Sequence, residues 1–169
     1  TGTCFDIGMT VLGALSRFQR TGNPIAGSAD PMSAGNGSLM RLSPVAIRYW
    51  NDRPALRDAA ARQSLTTHAA PEAVDACVAY ADMIADAIAG KPRTEVLADR
   101  AGAWAGSIEE IVGGSWRGKP RWVIKSSGYV AHSLDAARGV VGRIGRLAEA
   151  VVLAANRGGG ADTVAAITG

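Results

Sequence analysis

Aromatic side chains are scarce in this 169-residue chain: Phe, Trp and Tyr together make up 5% of it. Ala and Gly are abundant instead. That balance points to close-packed helices rather than a β-sandwich. Cysteine is almost absent. Cys4 and Cys77 cannot build a disulfide framework, and Cys77 falls in an apolar helical stripe, where it reads as a small buried hydrophobe. No apolar run approaches the roughly 18 to 20 residues that span a bilayer, so no membrane partner is expected. No charged stretch precedes an apolar segment as in a signal peptide, which leaves a reduced, cytoplasmic protein as the expectation. Charge of one sign is also lacking. The 18 Lys and Arg against 15 Asp and Glu give a net +3, and the basic residues are scattered. A nucleic-acid footprint needs a stripe, so no nucleic-acid partner is expected.

What remains is enough apolar residue, 47%, for one helical domain with a real core. Ile7, Val11, Leu12, Leu15 and Phe18 make a helical stripe over 4–19. Residues 22–37, rich in Gly, Pro, Ser and Asn, read as a long loop, and loops of that length are often functional. Helical spacing resumes at Ser38–Trp50, with Pro44 implying a kink or a late start. Asn51 or Asp52 caps the next helix, with Pro54 in its first turn. The clearest helix runs over 71–89, opened by Pro71 and closed by Gly90, with Asp75, Asp82 and Asp86 mostly opposite its apolar face. A shorter helix is expected over 93–104, another turn over 107–112, and helices from Ser127 to Ala137, from Leu147 to Ala155 and from Thr163. Only Trp122–Ile124 hints at a strand. The fold class expected is all-α, a compact multi-helix bundle.

Four stretches put glycine beside polar groups at helix ends: Phe5-Asp6-Ile7-Gly8, Gly35-Asn36-Gly37-Ser38, Thr66-Thr67-His68 and Gly158-Gly159-Gly160-Ala161-Asp162-Thr163. Each has a plain structural explanation as a cap, a turn, a satisfied polar group or a connection. Each also has a chemical one. Glycine lets backbone N–H groups approach a phosphate, and an adjacent Asp and Thr offer oxygens to a hard cation such as Mg²⁺.

Taken in order, these stretches resemble the ADP-ribosylglycohydrolase family. The similar segments are FDIG at 5–8, AGNGSLMRLSPVAI at 34–47, TTHAAPEAVDAC at 66–77, SSGYVAHSLDAA at 126–137 and AVVLAANRGGGADTVAAITG at 150–169. The resemblance implies a compact all-α bundle of the orthogonal type. It implies a cleft with two divalent cations, Mg²⁺ or Mn²⁺, and cleavage of the bond between ADP-ribose and an arginine or serine side chain or a small molecule. It implies Asp6 near the scissile bond, as the residue for orientation or proton transfer. It places Gly35, Asn36, Gly37 and Ser38 along the ADP-ribose with Met40 flanking, His68 facing the pocket, and Ser127, Gly128 and Tyr129 beside the nucleotide, where Tyr129 offers its ring to adenine. Asp162 and Thr163 match a metal-ligand pair, and Arg41 a structural residue.

The chain departs from the family pattern in ways that bear on activity. It begins at Thr1, without the Gly-Asp-rich first helix and Thr-Asp-Asp metal motif of the family, and ends within a helical pattern, so it is expected to be a segment of a longer protein, truncated at both ends. Gly160 stands where a metal-binding carboxylate belongs, and Met9 where a polar residue is usual. Arg138-Gly139-Val140-Val141-Gly142-Arg143 puts Gly and Arg into a helix that should be apolar, each interior Gly costing about 0.5–1 kcal/mol against Ala. A weakened metal site implies an inactive segment of such an enzyme. The alternatives are a catalytically dead ADP-ribose-binding module and a purely structural helical protein.

Overall fold

The computed structural model describes residues 7–120, 123–156 and 161–169. Asp6, Cys4, Trp122, Gly159 and Gly160 lie outside the described residues. Ten α-helices are present among those described: α1 (Met9–Thr21), α2 (Gly37–Met40), α3 (Ser43–Tyr49), α4 (Arg53–Leu65), α5 (Pro71–Ile88), α6 (Arg93–Val96), α7 (Ser107–Val112), α8 (Val130–Arg143), α9 (Leu147–Ala155) and α10 (Ala161–Thr168). A 3-10 turn at Pro31–Ser33 precedes α2. No strand forms among the described residues, so the all-α expectation holds; two isolated bridges pair Ser28 with His68 and Gly35 with Tyr129. No described helix is long and apolar enough to cross a membrane.

The helix at the centre is α5. Its buried positions are mostly alanine, with Cys77 and Met83 among them, so neighbouring helices can approach its backbone closely. Helices α3 and α4 pack on one side, α7 and α8 on another. Pro71 begins the helix and Gly90, at φ 78°, ends it, as Pro-first and Gly-last signals predict. Asp52 caps α4 by accepting from the Ala55 N–H at 3.1 Å. Pro44 gives a break: α2 ends at Met40, and α3 begins at Ser43 with Pro44 in its first turn.

The acids of α5 require a correction. Asp82 and Asp86 are buried, 1% and 5% exposed, instead of facing solvent. Asp82 meets Arg53 at 3.2 Å and Arg57 at 2.8 Å. Asp86 meets Lys91 at 2.9 Å, Arg100 at 2.8 Å and also Arg53. The helix is surrounded on more than its apolar face, and cations from α4 and from the stretch around α6 neutralise the acids there.

Helix boundaries shift for local reasons. Only Arg93–Val96 of the 93–104 stretch is α-helical. Gly102 (φ 155°) and Gly106 (φ 50°) turn the chain through conformations that end any helix. The helix expected from Ser127 starts at Val130, because Ser127–Tyr129 forms the turn before it. The odd Arg-Gly run lies within α8 and has a packing reason. A methyl at Gly142 would lie 2.3 Å from the Trp116 ring, so the missing side chain makes room for the indole. Arg138 is buried and donates to the backbone carbonyls of Leu97 (3.0 Å) and Ile111. Helix α8 contributes to two cores, one with α2–α5, α7 and Ile167 of α10, a smaller one with α9 and Val164 of α10.

Candidate functional site

Three motif segments distant in sequence meet at one edge of the fold. Residues 34–36 run antiparallel to 128–130: Asn36 N donates to Gly128 O at 3.0 Å, and Val130 N to Ala34 O at 3.0 Å. The Asn36 amide spends both its N–H groups across this junction, on Ser127 O (3.1 Å) and Ser133 Oγ (2.8 Å). Its side chain is therefore a clasp between the loop before α2 and the turn before α8.

His68 stands behind this loop. It is 3% exposed, and its ring lies against the two glycines of the motif. A methyl at Gly35 would come 3.2 Å from Nε2, and one at Gly37 2.9 Å from Cε1. The glycines are needed because an imidazole occupies the space a side chain would take. On its other side, Thr67 Oγ1 lies 2.7 Å from Nδ1 and accepts from Arg41 Nη2 at 2.7 Å. Burial, then the Arg41 charge, lower the imidazole pKa to about 4, so His68 is neutral at physiological pH. Arg41 also bonds Gln63 O (2.8 Å) and Oε1 (3.0 Å), tying the end of α2 to the end of α4 as a structural residue.

Ser38 points inward. It is fully buried, and its hydroxyl accepts from Ser64 Oγ at 2.9 Å, with Cys77 Sγ at 3.5 Å. Its side chain anchors the loop from beneath, so contact with a ligand would have to come from its neighbours. Cys77 is buried as expected, and burial pushes its thiol pKa up.

The outer wall is a cleft of about 570 Å³ lined by Thr10, Pro31, Met32, Ala34, Gly35, Glu72, Gly128 and Tyr129, within the range of small-molecule sites. Of the expected ligand-binding residues, Gly35, Gly128 and Tyr129 line it. Asn36, Gly37, Ser38 and His68 form the layer behind, and Ser127 the turn beside it. Ser127 Oγ lies 2.8 Å from His132 Nδ1 and accepts from Tyr129 N at 3.2 Å.

At the start of α10, Asp162 is exposed, while Thr163 is buried and donates to Met40 Sδ at 3.5 Å. The C-terminal motif therefore does reach the Gly35–Met40 loop. The described residues supply only part of the donor set a divalent cation needs. A hard cation takes about six oxygens, with carboxylates supplying charge. No cluster of three or more His, Cys, Asp or Glu side chains suited to a metal occurs among the described residues. Asp162 alone does not make a two-cation centre.

Sequence reasoning missed Gly27, Glu72 and His132. Gly27 sits in the long loop with nothing to mark it. Glu72 lies inside the THAAPEA stretch, and its place between His68 and the α5 core was the available signal.

These segments, arranged this way on an all-α frame, define a class. The ADP-ribosylglycohydrolase model matches residues 1–169, and the chain belongs to that family, whose members use divalent metal ions. It is 38% identical over 168 residues to the ADP-ribosylarginine hydrolase Tri1 of Pseudomonas putida (strain GB-1), covering 99% of this chain and 45% of that protein. It is 33% identical over 168 residues to the protein of the same name in Serratia proteamaculans (strain 568), covering 99% and 46%. A solved structure described as an ADP-ribosylglycohydrolase-related protein complex superposes with a TM-score of 0.85 at 35% identity, over 95% of this chain and 56% of that one. The chain thus spans about half the length of the relatives it matches.

Proposed function

We propose that this chain forms the ADP-ribose-holding part of a hydrolase acting on ADP-ribosylarginine, the substrate in the relatives' names. The observation that carries the reading is the cleft lined by Gly35, Gly128 and Tyr129 and backed by Asn36 and His68, from segments 91 residues apart across the Asn36–Ser127 contact. In such hydrolysis water adds at the anomeric carbon of the ribose, the bond to the guanidinium nitrogen breaks, and that nitrogen leaves with a proton. Positive charge builds on the sugar as the bond breaks, so carboxylates nearby lower the barrier. Asp6 is the acid we assign there from its motif. Asp162 and Thr163 are the metal ligands we assign from theirs. The proposed partners are ADP-ribose and ADP-ribosylated proteins or small molecules.

The lack of a carboxylate cluster among the described residues favours a second reading for the chain by itself, an ADP-ribose binder without turnover. The two separate in one pair of measurements. Release of ADP-ribose from ADP-ribosylarginine in the presence of Mg²⁺ or Mn²⁺ supports the hydrolase; a melting midpoint raised by ADP-ribose, with no release, supports the binder. A chain that does neither sinks both.

Asn36→Ala should be costly under either reading. Ser127 O and Ser133 Oγ lose a donor at a partly buried junction, for about 1–3 kcal/mol of stability. ADP-ribose affinity should fall about tenfold, an increment of about 1.4 kcal/mol, as the loop loses its register. Calorimetric titration checks this, and equal affinities for wild type and variant would count against the clasp.

A further inference from the structure

Among the described residues, Glu72 is the one carboxylate lining the cleft, and no expectation from sequence gave it a role. It sits in the first turn of α5, half-buried, with both oxygens engaged. Oε2 accepts from the Tyr129 phenol at 2.5 Å, and Oε1 accepts from the Ser107 backbone N–H, at the start of α7, at 2.7 Å. The phenol also lies 3.3 Å from Ser107 Oγ. The backbone beside it is shaped to admit this carboxylate. Gly106 has φ 50°, and a methyl there would lie 2.3 Å from Glu72 Oε1. Glycine is thus required twice over, by conformation and by space.

Tyr129 is fixed at its other contacts as well. His132 meets the ring edge-on, with centroids 5.0 Å apart and planes at 82°, and Ser127 Oγ accepts from the Tyr129 N–H. Backbone and ring edge are therefore set by the turn before α8, but the far end of the side chain is held by α5 and α7 through Glu72. A charged acceptor makes a stronger hydrogen bond to a phenol than a neutral one. Burial and the Glu72 carboxylate both push the Tyr129 pKa up, so the phenol keeps its proton for this bond.

We propose that Glu72 is a positioning residue that holds the Tyr129 ring as a rigid stacking surface for the aromatic base of a nucleotide ligand. This rests on the ADP-ribose reading above. An aromatic ring stacks on a base with useful energy only when it does not have to be ordered at the moment of binding. The clamp removes that cost before the ligand arrives.

The test compares two ligands by calorimetry, ADP-ribose and ribose 5-phosphate, which lacks the base. Glu72→Ala should weaken ADP-ribose about tenfold and leave ribose 5-phosphate unchanged, a split that general loosening of the cleft would not give. Glu72→Gln keeps a carbonyl acceptor and should recover most of the affinity, to within about threefold of wild type. If Glu72→Ala fails to fold, Tyr129→Phe carries the comparison, since it keeps the ring but removes the hydroxyl that Glu72 holds; the same selective loss is expected. Unchanged ADP-ribose affinity, or an equal loss for both ligands, overturns the role of Glu72 while the ADP-ribose reading stands. Wild-type protein that binds neither ligand overturns the ADP-ribose reading, and the positioning role with it.

Discussion

Gly27→Ala is expected to be among the most damaging single-methyl changes in the molecule. The added carbon would lie 2.7 Å from Ala69 N, 2.7 Å from Leu65 O and 2.9 Å from His68 N. All three are backbone atoms, and none can swing aside as a side-chain tip can. Each is pinned. Leu65 O accepts from Gly27 N at 2.9 Å, His68 N donates to Ser64 O at 2.7 Å, and Ala69 N donates to Ser28 O at 3.1 Å. Relief requires separating the 26–28 segment from the turn that carries His68. Overpacking of this kind costs about 1–3 kcal/mol, and the rigidity of all three neighbours argues for the upper end. In a chain of this size that lowers the melting midpoint by about 6–12 °C.

The same substitution should reach the site. His68 is set by the turn that Gly27 packs against, and its ring fills the space beside Gly35 and Gly37. Moving the turn moves the floor of the motif loop, so ADP-ribose affinity should fall together with stability. Gly8→Ala supplies the control. No described residue lies within 4 Å of the added methyl, and Gly8 has an ordinary φ of −63°. Its melting midpoint should stay within about 1 °C of wild type. Equal melting of Gly27→Ala and wild type would mean that the 26–28 segment does not rest on the His68 turn.

Gly27 also marks where sequence reading stops. Its chemistry comes from a partner 42 residues away, and nothing in the local string distinguishes it from the other loop glycines. Elements whose causes are local were legible: α5, through its spacing, Pro71 and Gly90, and α4, through the Asp52 cap. The motif set was legible as a family resemblance, and the fold class with it. The layering within the motif was not. Ser38 and His68 read as facing a ligand, but one is wholly buried beneath the loop and the other stands behind it. A motif fixes which residue types recur together; it does not say which of them touch the ligand and which hold the shape. Periodicity failed at Asp82 and Asp86 for a related reason. It divides a helix into an apolar and a polar face, and the polar face is taken to be wet. Here it is covered by arginines from other elements.

That covered face carries the second large effect. Asp86→Asn should destabilise the protein by about 3 kcal/mol, lowering the melting midpoint by about 6–12 °C. The carboxylate is 5% exposed and holds Arg100, Lys91 and Arg53. Arg100 matters most, because its side chain is only 15% exposed and its charge, left alone, would be poorly hydrated. Asp82→Asn should cost less although Asp82 is more deeply buried. Its partners Arg53 and Arg57 are 36% and 59% exposed, and water can take over their solvation. Pairing Asp86→Asn with Arg100→Met should recover part of the loss, since the stranded cation is then gone.

The pH dependence identifies the charge as the cause. Burial alone would raise the Asp86 pKa, but hydrogen bonds from Lys91 and Arg100, and the charges of Arg100 and Arg53, overcome it and hold the group at about 2, against an ordinary 3.8. A depressed carboxylate pKa stabilises the folded state fully above the unfolded pKa and loses that contribution as pH falls through the folded one. Wild type should therefore lose up to about 2 kcal/mol from this group between about pH 5 and pH 2. Asp86→Asn has no proton to take up at this position, so its deficit against wild type should shrink over the same window. Denaturant unfolding at a series of pH values measures that difference directly. A deficit that stayed constant down to pH 2 would show that Asp86 acts through its shape and hydrogen bonds rather than its charge.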